Sequence, residues 1–366
     1  MRLYVYAHKN KIYMKNYRIK DIASMAGVSA GTVDRVLHNR GRVSEVSLKK
    51  VKIALKKIDY QPNLIARSLA SKKICRIMTI IPSFAPGDYW SEVNKGINKA
   101  EHEFSDFHLE IQGRFFNQYD RGSFDAIVEE LKKEDYQGVI IASLFKDSTF
   151  RFTQLLDSKR IPYILIDAFI DKTNCVAYYG TDSYRSGYIG GQLLFAKIKN
   201  DDNILLFSII SKGSIDSIQV STREKGFRDF LSKTNYCGKI YPVSISAETP
   251  DHNKKIIDMY MERSEKERPH AGIIFNSRVH IPSEYFINNK VKDFFLIGYD
   301  AIAANIKYLK TGIVSHLIAQ RPEVQGYNSV KALFHYLSLH TSVTKMNYMP
   351  IDILIDSNID YYNNYI

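Results

Sequence analysis

One helical stretch near the N-terminus carries polar side chains whose spacing suits recognition of a base-pair edge. If residues 30–38 form a helix, one face of it consists of Ala30, Gly31, Asp34, Arg35 and His38. A guanidinium can donate two parallel hydrogen bonds to one guanine, which makes Arg35 the candidate base-reading residue. Asp34 could accept from a cytosine amine or could pair locally with Arg35 or His38. Gly31 costs such a helix about 1 kcal/mol relative to alanine, and close approach of the backbone to a groove would explain its use.

Two short helices joined by a turn are needed to hold this face in place. Apolar residues at helical spacing form one face on each helix: Ile22, Ala23 and Ala26, then Val33, Val36 and Leu37. Between them, Gly27 can adopt a positive φ and end the first helix, and Ser29 can cap the second. The pattern predicts a helix-turn-helix, whose second helix enters the DNA major groove. The alternative is an ordinary helical hairpin inside a protein core.

The positive charge of the chain is concentrated in the same segment. The protein has 366 residues and a net charge of +12. Residues 1–73 contain 17 Lys and Arg but only 4 Asp and Glu, a net of +13, so the rest of the chain carries −1. Release of counter-ions from the phosphate backbone favours the binding of such a basic segment to DNA. Within it, Arg40, Gly41 and Arg42 form a basic turn that suits phosphate groups.

Residues 21–37, DIASMAGVSAGTVDRVL, resemble the DNA-binding headpiece of the lactose-repressor (LacI/GalR) family, which reads D-x-A-x-x-A-G-V-S-x-x-T-V-S-R-V-L. Asp34 departs from that pattern, because the family usually has serine there. The match continues more loosely over most of the chain, and most clearly at Val43-Ser44 and Tyr60-x-Pro62-Asn63. The resemblance implies that the polar face described above binds DNA in a sequence-specific manner, with Ala30, Gly31 and Arg35 toward the base edges.

A third helix and a short hinge follow this motif. Ser44 can cap the third helix, whose inward positions are Leu48, Val51, Leu55 and Ile58. Residues 64–71, LIARSLAS, resemble the family's hinge helix, which orders only when two copies pack together on DNA. The resemblance places Leu69 where the family inserts a wedge into the minor groove, and the alternative is a linker whose leucine packs on the next domain. The DNA contacts that we predict are Ser29, Ala30, Gly31, Thr32, Arg35, Arg42 and Leu69.

Beyond Arg76 the sequence alternates between short apolar runs and amphipathic helical stretches. The runs are IMTIIP, GVIIAS, YILID, NILLFSII, AGIIF and FFLIG, and the helical stretches include Ser91–Glu103 and Ser183–Lys199. This alternation predicts α/β lobes, two doubly wound parallel sheets with helices on both faces. It resembles the type I periplasmic-binding-protein fold, in which the chain crosses between two lobes three times, here expected near Gly180, Gly312 and Met349. A ligand would then lie between the lobes, at the carboxyl ends of the strands.

Candidate ligand-binding residues follow the strands at that edge. They are Phe84, Tyr89, Trp90, Asp167, Arg223, Asn276, Asp300 and Gln320. The resemblance implies that Arg223, in R-x-x-G-F, binds an effector and that Asp300, in G-[FY]-D, accepts from ligand hydroxyls. The paired aromatic residues would stack on a sugar face. Where the family often has Asn-Asp, this chain has Asn276-Ser277-Arg278, a departure from the usual acidic contact. For each residue the alternative is a structural hydrogen bond or a loop cap.

Four segments are predicted along the chain. They are a disordered N-terminal extension (1–16), the helix-turn-helix headpiece (17–62), the hinge (63–73) and a periplasmic-binding-protein-like domain for effector binding and dimerisation (74–366). Because the family's headpiece usually begins shortly before its first helix, Met14 is an alternative start.

The sequence also disfavours several classes of protein. Cys75, Cys175 and Cys237 are odd in number and widely spaced, which predicts neither a disulfide framework nor a zinc site and suits a reducing cytosol. No apolar run is long enough to span a membrane, and residues 1–16 lack the apolar core of a secretory signal, so we expect a cytoplasmic protein. No P-loop, G-x-G-x-x-G or H-E-x-x-H motif is present, so neither an enzyme, a cofactor nor a metal is predicted.

Together these patterns predict a DNA-binding transcription regulator, more specifically a repressor, whose two copies bind a palindromic operator as a homodimer. A small effector, a monosaccharide or a derivative of one, would bind between the lobes and change the affinity for the operator. A purine is the alternative effector. The alternative function is a sugar-binding protein without a regulatory role, which the basic headpiece disfavours.

Replacement of Leu69 by alanine is predicted to reduce both DNA bending and operator affinity, because the wedge that unstacks a minor-groove step is removed. Effector affinity should stay the same. Gel shifts with circularly permuted operator fragments measure the bend, and titration measures the affinity. If footprints of the unsubstituted protein show no distortion at the centre of the operator, no wedge is inserted.

Overall fold

The computed structural model describes residues 18–37, 41–58, 74–210 and 217–362. The chain divides into two compact units, Met1–Arg67 and Ser68–Ile366. The predictions made for the N-terminal extension with Met14, for His38 and Arg40, and for the hinge with Leu69 lie outside the described residues. The domain borders predicted near residues 16, 62 and 73 also fall there and remain predictions.

The first unit contains the predicted helix-turn-helix. Its helices are α1 (Ile19–Ala26), α2 (Ala30–Leu37) and α3 (Glu45–Lys57). Gly27 ends α1 in the left-handed conformation at φ 60°, and its N–H donates to the last carbonyls of the helix. Ser29 begins α2, since its Oγ accepts from the backbone N–H of Thr32 at 3.2 Å. Both capping residues therefore act as the sequence predicts.

Small and branched side chains form the core of this first unit. The buried residues are Ile22, Ala23, Ala26, Val33, Val51 and Ala54, with Leu55 and Ile58 packed against them. Ser44 caps α3 by accepting from the N–H of Ser47. The buried residues of α3 are Val51 and Ala54, whereas Leu48, which was predicted to point inward, is only half-buried. Three short helices thus enclose one small core that leaves the outer face of α2 open.

The second unit contains two six-stranded sheets. The first sheet consists of β1 (Cys75–Pro82), β2 (Leu109–Phe116), β3 (Gly138–Ala142), β4 (Tyr163–Ile166), β5 (Ala177–Gly180) and β11 (Met346–Tyr348). The second consists of β6 (Asn203–Ile209), β7 (Ile240–Ile245), β8 (Pro269–Ile274), β9 (Phe295–Tyr299), β10 (Val314–Ala319) and β12 (Asp352–Leu354). Their orders correspond, β11-β5-β4-β3-β1-β2 and β12-β10-β9-β8-β6-β7. Neighbouring strands are parallel except β12, which is antiparallel to β10. The predicted doubly wound architecture is confirmed.

Helices cover both sheets and define two lobes. Lobe 1, around the first sheet, has α4 (Tyr89–Glu103), α5 (Arg121–Leu131), α6 (Lys146–Ser158) and α12 (Pro322–Ser338). Lobe 2, around the second sheet, has α7 (Ser183–Phe195), α8 (Ile218–Ser232), α9 (Pro250–Met261), α10 (His280–Asn288) and α11 (Ala303–Lys310). The strands in both sheets are rich in fully buried Ile, Leu and Val, as expected for parallel strands covered on two faces.

The chain crosses between the lobes three times, and one of the predicted crossings is wrong. The first crossing follows β5 at Gly180 and the third follows β11 at Met349, as predicted. The second does not occur at Gly312. That glycine, at φ 78°, only turns the chain from α11 into β10, which pairs with β9 in lobe 2. The crossing comes after β10, at Gln320, because the next helix, α12, packs on strands of lobe 1.

Each lobe contains a pair of helices held in close contact by glycines. In lobe 2, a Cβ on Gly187 of α7 would lie 1.8 Å from the carbonyl oxygen of Arg223, and one on Gly226 of α8 would lie 2.0 Å from that of Tyr184. In lobe 1, Gly96 of α4 would meet a backbone oxygen of α12 at 1.9 Å in the same way. The glycine of the R-x-x-G-F motif is therefore required by helix packing, and this packing fixes the position of Arg223.

Replacement of Gly226 by alanine should lower the free energy of unfolding by about 2–3 kcal/mol, because the new methyl group meets rigid backbone and the two helices must separate. Urea unfolding followed by far-UV circular dichroism measures the change. Replacement of Gln192, an exposed residue on α7, by alanine is the matched control and should alter stability by less than about 0.5 kcal/mol. Equal stability of the Gly226 variant and the control would contradict the close approach.

Candidate functional site

A cavity of about 110 Å³ lies at the carboxyl ends of the strands, between the two lobes of the second unit. Of the eight predicted ligand-binding residues, six line it: Tyr89, Trp90, Asp167, Asn276, Asp300 and Gln320. They come from α4 and β4 in lobe 1, from β8 and β9 in lobe 2 and from the second crossing. The structure thus brings together residues that are up to 231 positions apart in the chain. This is the binding location that the doubly wound topology predicts.

Two carboxylates occupy equivalent places in the two lobes. Asp167 follows β4 and Asp300 follows β9, each the fourth strand of its lobe along the chain. Both residues have left-handed backbone conformations, with φ of 75° and 66°, and both are buried. Such conformations are uncommon outside glycine and tend to occur at functional sites, although aspartate tolerates them better than most residues. Both aspartates line the same cavity.

Arg223 lies beneath the cavity rather than on its wall. Its side chain is 1% exposed, one terminal N–H donates to the carbonyl oxygen of Phe275 at 2.7 Å, and the guanidinium lies 4.2 Å from the ring centroid of Tyr299. Its Nε has no hydrogen-bond partner among the described residues. Because a buried cation needs compensating negative charge, its role in this geometry is to balance Asp167 and Asp300.

Burial and the charge of Arg223 have opposite effects on the pKa values of the two carboxyl groups. Burial raises the pKa of Asp167 to about 7 and that of Asp300 to about 6. The guanidinium of Arg223 acts in the opposite direction on both pKa values, as do the amide hydrogen bonds described below. The pKa of Asp167 is raised further by the charge of Asp300. Near neutral pH, the site therefore holds carboxylates that can be ionised or protonated at little energetic cost.

Two glutamines donate hydrogen bonds to these carboxylates, and one of them connects Asp300 to the crossings. Gln219 of α8 donates from Nε2 to Oδ1 of Asp167 at 2.7 Å, a hydrogen bond between the lobes. Gln320 donates from Nε2 to Oδ1 of Asp300 at 3.1 Å and accepts from the hydroxyl of Thr181 at 3.1 Å. Thr181 follows the first crossing and Gln320 forms the second. A change at Asp300 therefore reaches two of the crossings, and a change at Asp167 alters a hydrogen bond between the lobes.

An aromatic wall belongs to the first turn of α4. The rings of Tyr89 and Trp90 are perpendicular with centroids 5.1 Å apart, and the hydroxyl of Tyr89 donates to Gln325 Oε1. Both rings line the cavity. Phe84 does not, since its ring packs edge-to-face on Phe115 at 5.5 Å.

Several cavity residues were not anticipated from the sequence. They are Gln118, Tyr119, Ser208, Ser217, Gln219 and Arg278, together with apolar neighbours such as Leu144 and Phe275. Most of them follow a strand or begin the next helix. Those that follow a predicted strand could have been identified from the sequence by their position directly after the apolar run. Gln118 and Tyr119 follow β2, whose apolar pattern is too weak to predict. Gln219 precedes the recognisable motif in α8 by four positions.

The open face of α2 carries the predicted DNA contacts of the first unit. Ala30, Gly31 and Arg35 are exposed, and the Nε of Arg35 donates to the carbonyl oxygen of Gly31 at 3.2 Å. Ser29 and Thr32 join through their hydroxyls at 2.9 Å where the helix begins. Arg42 is exposed in the turn before α3. The guanidinium of Arg35 therefore lies over the first turn of α2, where a base edge would meet the helix.

In the described part of the chain, no helix has both the length and the apolar composition that crossing a membrane requires. Within those same residues, no group of three or more His, Cys, Asp and Glu side chains is arranged to hold a metal ion. Cys175 and Cys237 are free thiols.

Comparison with known proteins assigns the chain to a class and then to a family. Residues 18–63 match the description "Bacterial regulatory proteins, lacI family", and residues 77–340 match "Periplasmic binding protein domain". The architecture is thus a helix-turn-helix headpiece joined to a two-lobed binding domain. The chain belongs to the LacI family of bacterial regulatory proteins.

Individual relatives agree with this assignment. A crystal structure from Bacteroides fragilis, of a protein assigned as a LacI transcriptional regulator, is 36% identical with a TM-score of 0.74 and matches 80% of this chain and 100% of that one. The ribose operon repressor of Lactococcus lactis is 26% identical, over 78% of this chain and 81% of the repressor. The transcriptional regulator RegA of Clostridium acetobutylicum is 32% identical, but the match spans only 41% of this chain and 42% of RegA.

The ligand-free protein should become less stable as its two buried carboxyl groups ionise. Their folded-state pKa values lie above the ordinary value of 3.8. Their contribution to stability is therefore fully present below that value and is lost as the pH rises through about 6 for Asp300 and about 7 for Asp167. Urea unfolding followed by the fluorescence of Trp90, the single tryptophan, measures this loss.

Asparagine tolerates a left-handed backbone, so Asp167→Asn and Asp300→Asn remove the ionisation without adding backbone strain. Each variant should flatten the dependence of stability on pH in its own range. Asp147→Asn, at an exposed position on α6, is the control and should leave that dependence as it was. Identical pH profiles for all three variants and the parent would show that neither buried carboxyl group titrates there.

Proposed function

We propose that this protein is a transcription regulator that binds operator DNA through its first unit and adjusts that binding to a small effector in the cleft of its second. The observation that carries the proposal is the presence, in one chain, of an exposed helix-turn-helix recognition face and a cavity built for a polar ligand. Either part alone would support a simpler function. The combination favours repression or activation controlled by a metabolite, and the repressors among the relatives favour repression.

The DNA-binding part of the proposal rests on the face of α2. Arg35 is the cation on that face, and it projects from a helix whose opposite side is fixed by the buried Val33. The exposed lysines of α3, among them Lys49 and Lys52, add positive charge that suits phosphates. A homodimer would present two such faces to a palindromic operator.

The effector-binding part rests on the polar groups of the cleft. Ionised Asp167 and Asp300 can accept hydrogen bonds from adjacent hydroxyls, and the ring of Trp90 offers an apolar surface. The amides of Asn276 and Gln320 add donors and acceptors. We propose a sugar or a sugar derivative as the effector, with a purine as the second candidate because it too would stack on aromatic rings.

The coupling between the two functions can pass through the crossings of the second unit. A hydroxyl that binds Asp167 competes with Gln219, and one that binds Asp300 competes with Gln320. Both exchanges change the hydrogen bonds that set the angle between the lobes. Coupling free energies of this type are typically about 1–3 kcal/mol, and they act in both directions, so that operator DNA must change effector affinity by the same factor.

Two other functions are less well supported. A sugar-binding protein without a regulatory role would have no use for the recognition face or for the net charge of +13 in residues 1–73. An enzyme is less well supported because the relatives that the chain resembles are named as transcription regulators and repressors. A DNA-binding protein acts where the chromosome is, and we therefore propose a cytoplasmic location.

Replacement of Arg35 by alanine should weaken binding to an operator selected from genomic fragments by about 1–3 kcal/mol, the contribution of a bidentate contact to guanine. Binding to random DNA should weaken far less. Fluorescence anisotropy with both DNAs, at fixed salt, measures the ratio.

Lys52→Ala, at an exposed position on α3, provides the matched control. Loss of a phosphate contact there would lower affinity for both DNAs by the same factor. If Arg35→Ala behaved in that way too, Arg35 would contact phosphate rather than a base.

A further inference from the structure

One cation on the wall of the cleft has no counter-charge. Arg278 lines the cavity directly after Asn276 and Ser277, where β8 leads into α10. Its backbone N–H donates to Asn276 Oδ1 at 3.0 Å, which holds the turn in place. Its guanidinium has neither an ion-pair nor a hydrogen-bond partner among the described residues. Arg278 is also half-buried, so water does not surround it as it would a surface arginine.

The other charges of the cleft do not neutralise Arg278. The buried guanidinium of Arg223 lowers the pKa of both Asp167 and Asp300, whereas Arg278 is not among the charges that shift either pKa and, in the described part of the chain, forms no ion pair with them. The positive charge of Arg278 instead acts on His280, lowering its pKa in the same direction as burial does. A neutral ligand would therefore fill the cleft and leave this cation partly desolvated and unpaired.

We propose that the effector is a sugar derivative that carries an anionic group, a phosphate or a carboxylate, which pairs with Arg278. This inference rests on the proposed function and names the chemistry of its ligand. The hydroxyls of the sugar bind Asp167 and Asp300, and the anionic group binds at the β8–α10 turn. A guanidinium matches both kinds of group in geometry, because its two parallel N–H groups can meet two oxygen atoms at once. Ser277, the preceding residue, also lines the cavity.

The test compares matched ligands on the full-length protein. Each set contains a neutral sugar, the corresponding uronic acid and the corresponding sugar phosphate: glucose, glucuronate and glucose 6-phosphate, then the galactose and mannose sets, with ribose and ribose 5-phosphate added. Titration followed by Trp90 fluorescence and calorimetry gives the affinities. In at least one set, an anionic member should bind at least tenfold more tightly than its neutral parent. The uronic acids and phosphates distinguish the two sources of negative charge.

Variants of Arg278 decide whether this residue is the cause. Arg278→Gln should reduce the ratio of anionic to neutral affinity at least tenfold. Arg278→Lys should keep part of that ratio, because lysine retains the positive charge but lacks the two parallel N–H groups of the guanidinium. Arg185→Gln, which removes an exposed cation on α7 outside the cavity, is the matched control and should leave the ratio unchanged. A preference that survives Arg278→Gln would overturn the assignment.

The remaining outcomes separate this inference from the proposed function. If a neutral sugar binds as tightly as its anionic partners and alters operator affinity, the regulator stands and the anionic effector is wrong. If no member of any set binds while the protein still binds its operator, the sugar effector and its anionic group are both wrong. Tight binding of the anion that also shifts operator affinity supports both.

Discussion

The balance of two buried carboxylates against one buried guanidinium governs the second unit of this protein. Removing one partner from a buried set of charges typically costs about 3–5 kcal/mol where an uncompensated charge is left, and the two carboxyl groups avoid part of that cost because each can be protonated near neutral pH. Arg223 is held below the cavity by Phe275 and by the ring of Tyr299, while Asp167 and Asp300 reach the cavity itself. The cation therefore acts on the charge state of two groups that line the cavity without lining it itself. Because burial outweighs the effect of the guanidinium, the pKa values of both carboxyl groups lie near neutrality, at about 7 and about 6.

Near-equivalence of the two lobes explains why this arrangement arises. The sheets have corresponding strand orders, and each fourth strand ends in an aspartate with a left-handed backbone. Each lobe also has a helix pair brought together by glycine. The lobes differ in what they add: aromatic rings of α4 in lobe 1, and the first turn of α8 with Gln219 and then Arg223 in lobe 2. Equivalent scaffolds thus place two similar carboxyl groups at the cavity, and the lobes differ in the side chains that surround them.

The hydrogen bonds of these acceptors lead to the crossings between the lobes. Asp300 is joined through Gln320 to Thr181, which lies beyond the first crossing. Asp167 is joined to lobe 2 by Gln219, and its carbonyl oxygen accepts from Tyr178 at the end of β5. Loss of either hydrogen bond would therefore alter a contact that joins the two lobes or their crossings. This short path is the one through which the proposed coupling would act.

The sequence by itself determined the features that depend on local spacing. The helix-turn-helix followed from apolar periodicity with Gly27 and Ser29 between its helices, and six buried strands followed from their continuous apolar runs. The edge strands did not, because β2 and β7 are solvated on one side and β7 even accommodates Pro242. Only the tertiary structure decided that Gly312 turns within lobe 2, that Arg223 lies beneath the cavity and that Gln219 reaches Asp167 across it. Each of these depends on strand pairing and helix packing between distant segments, and local sequence carries no measure of either.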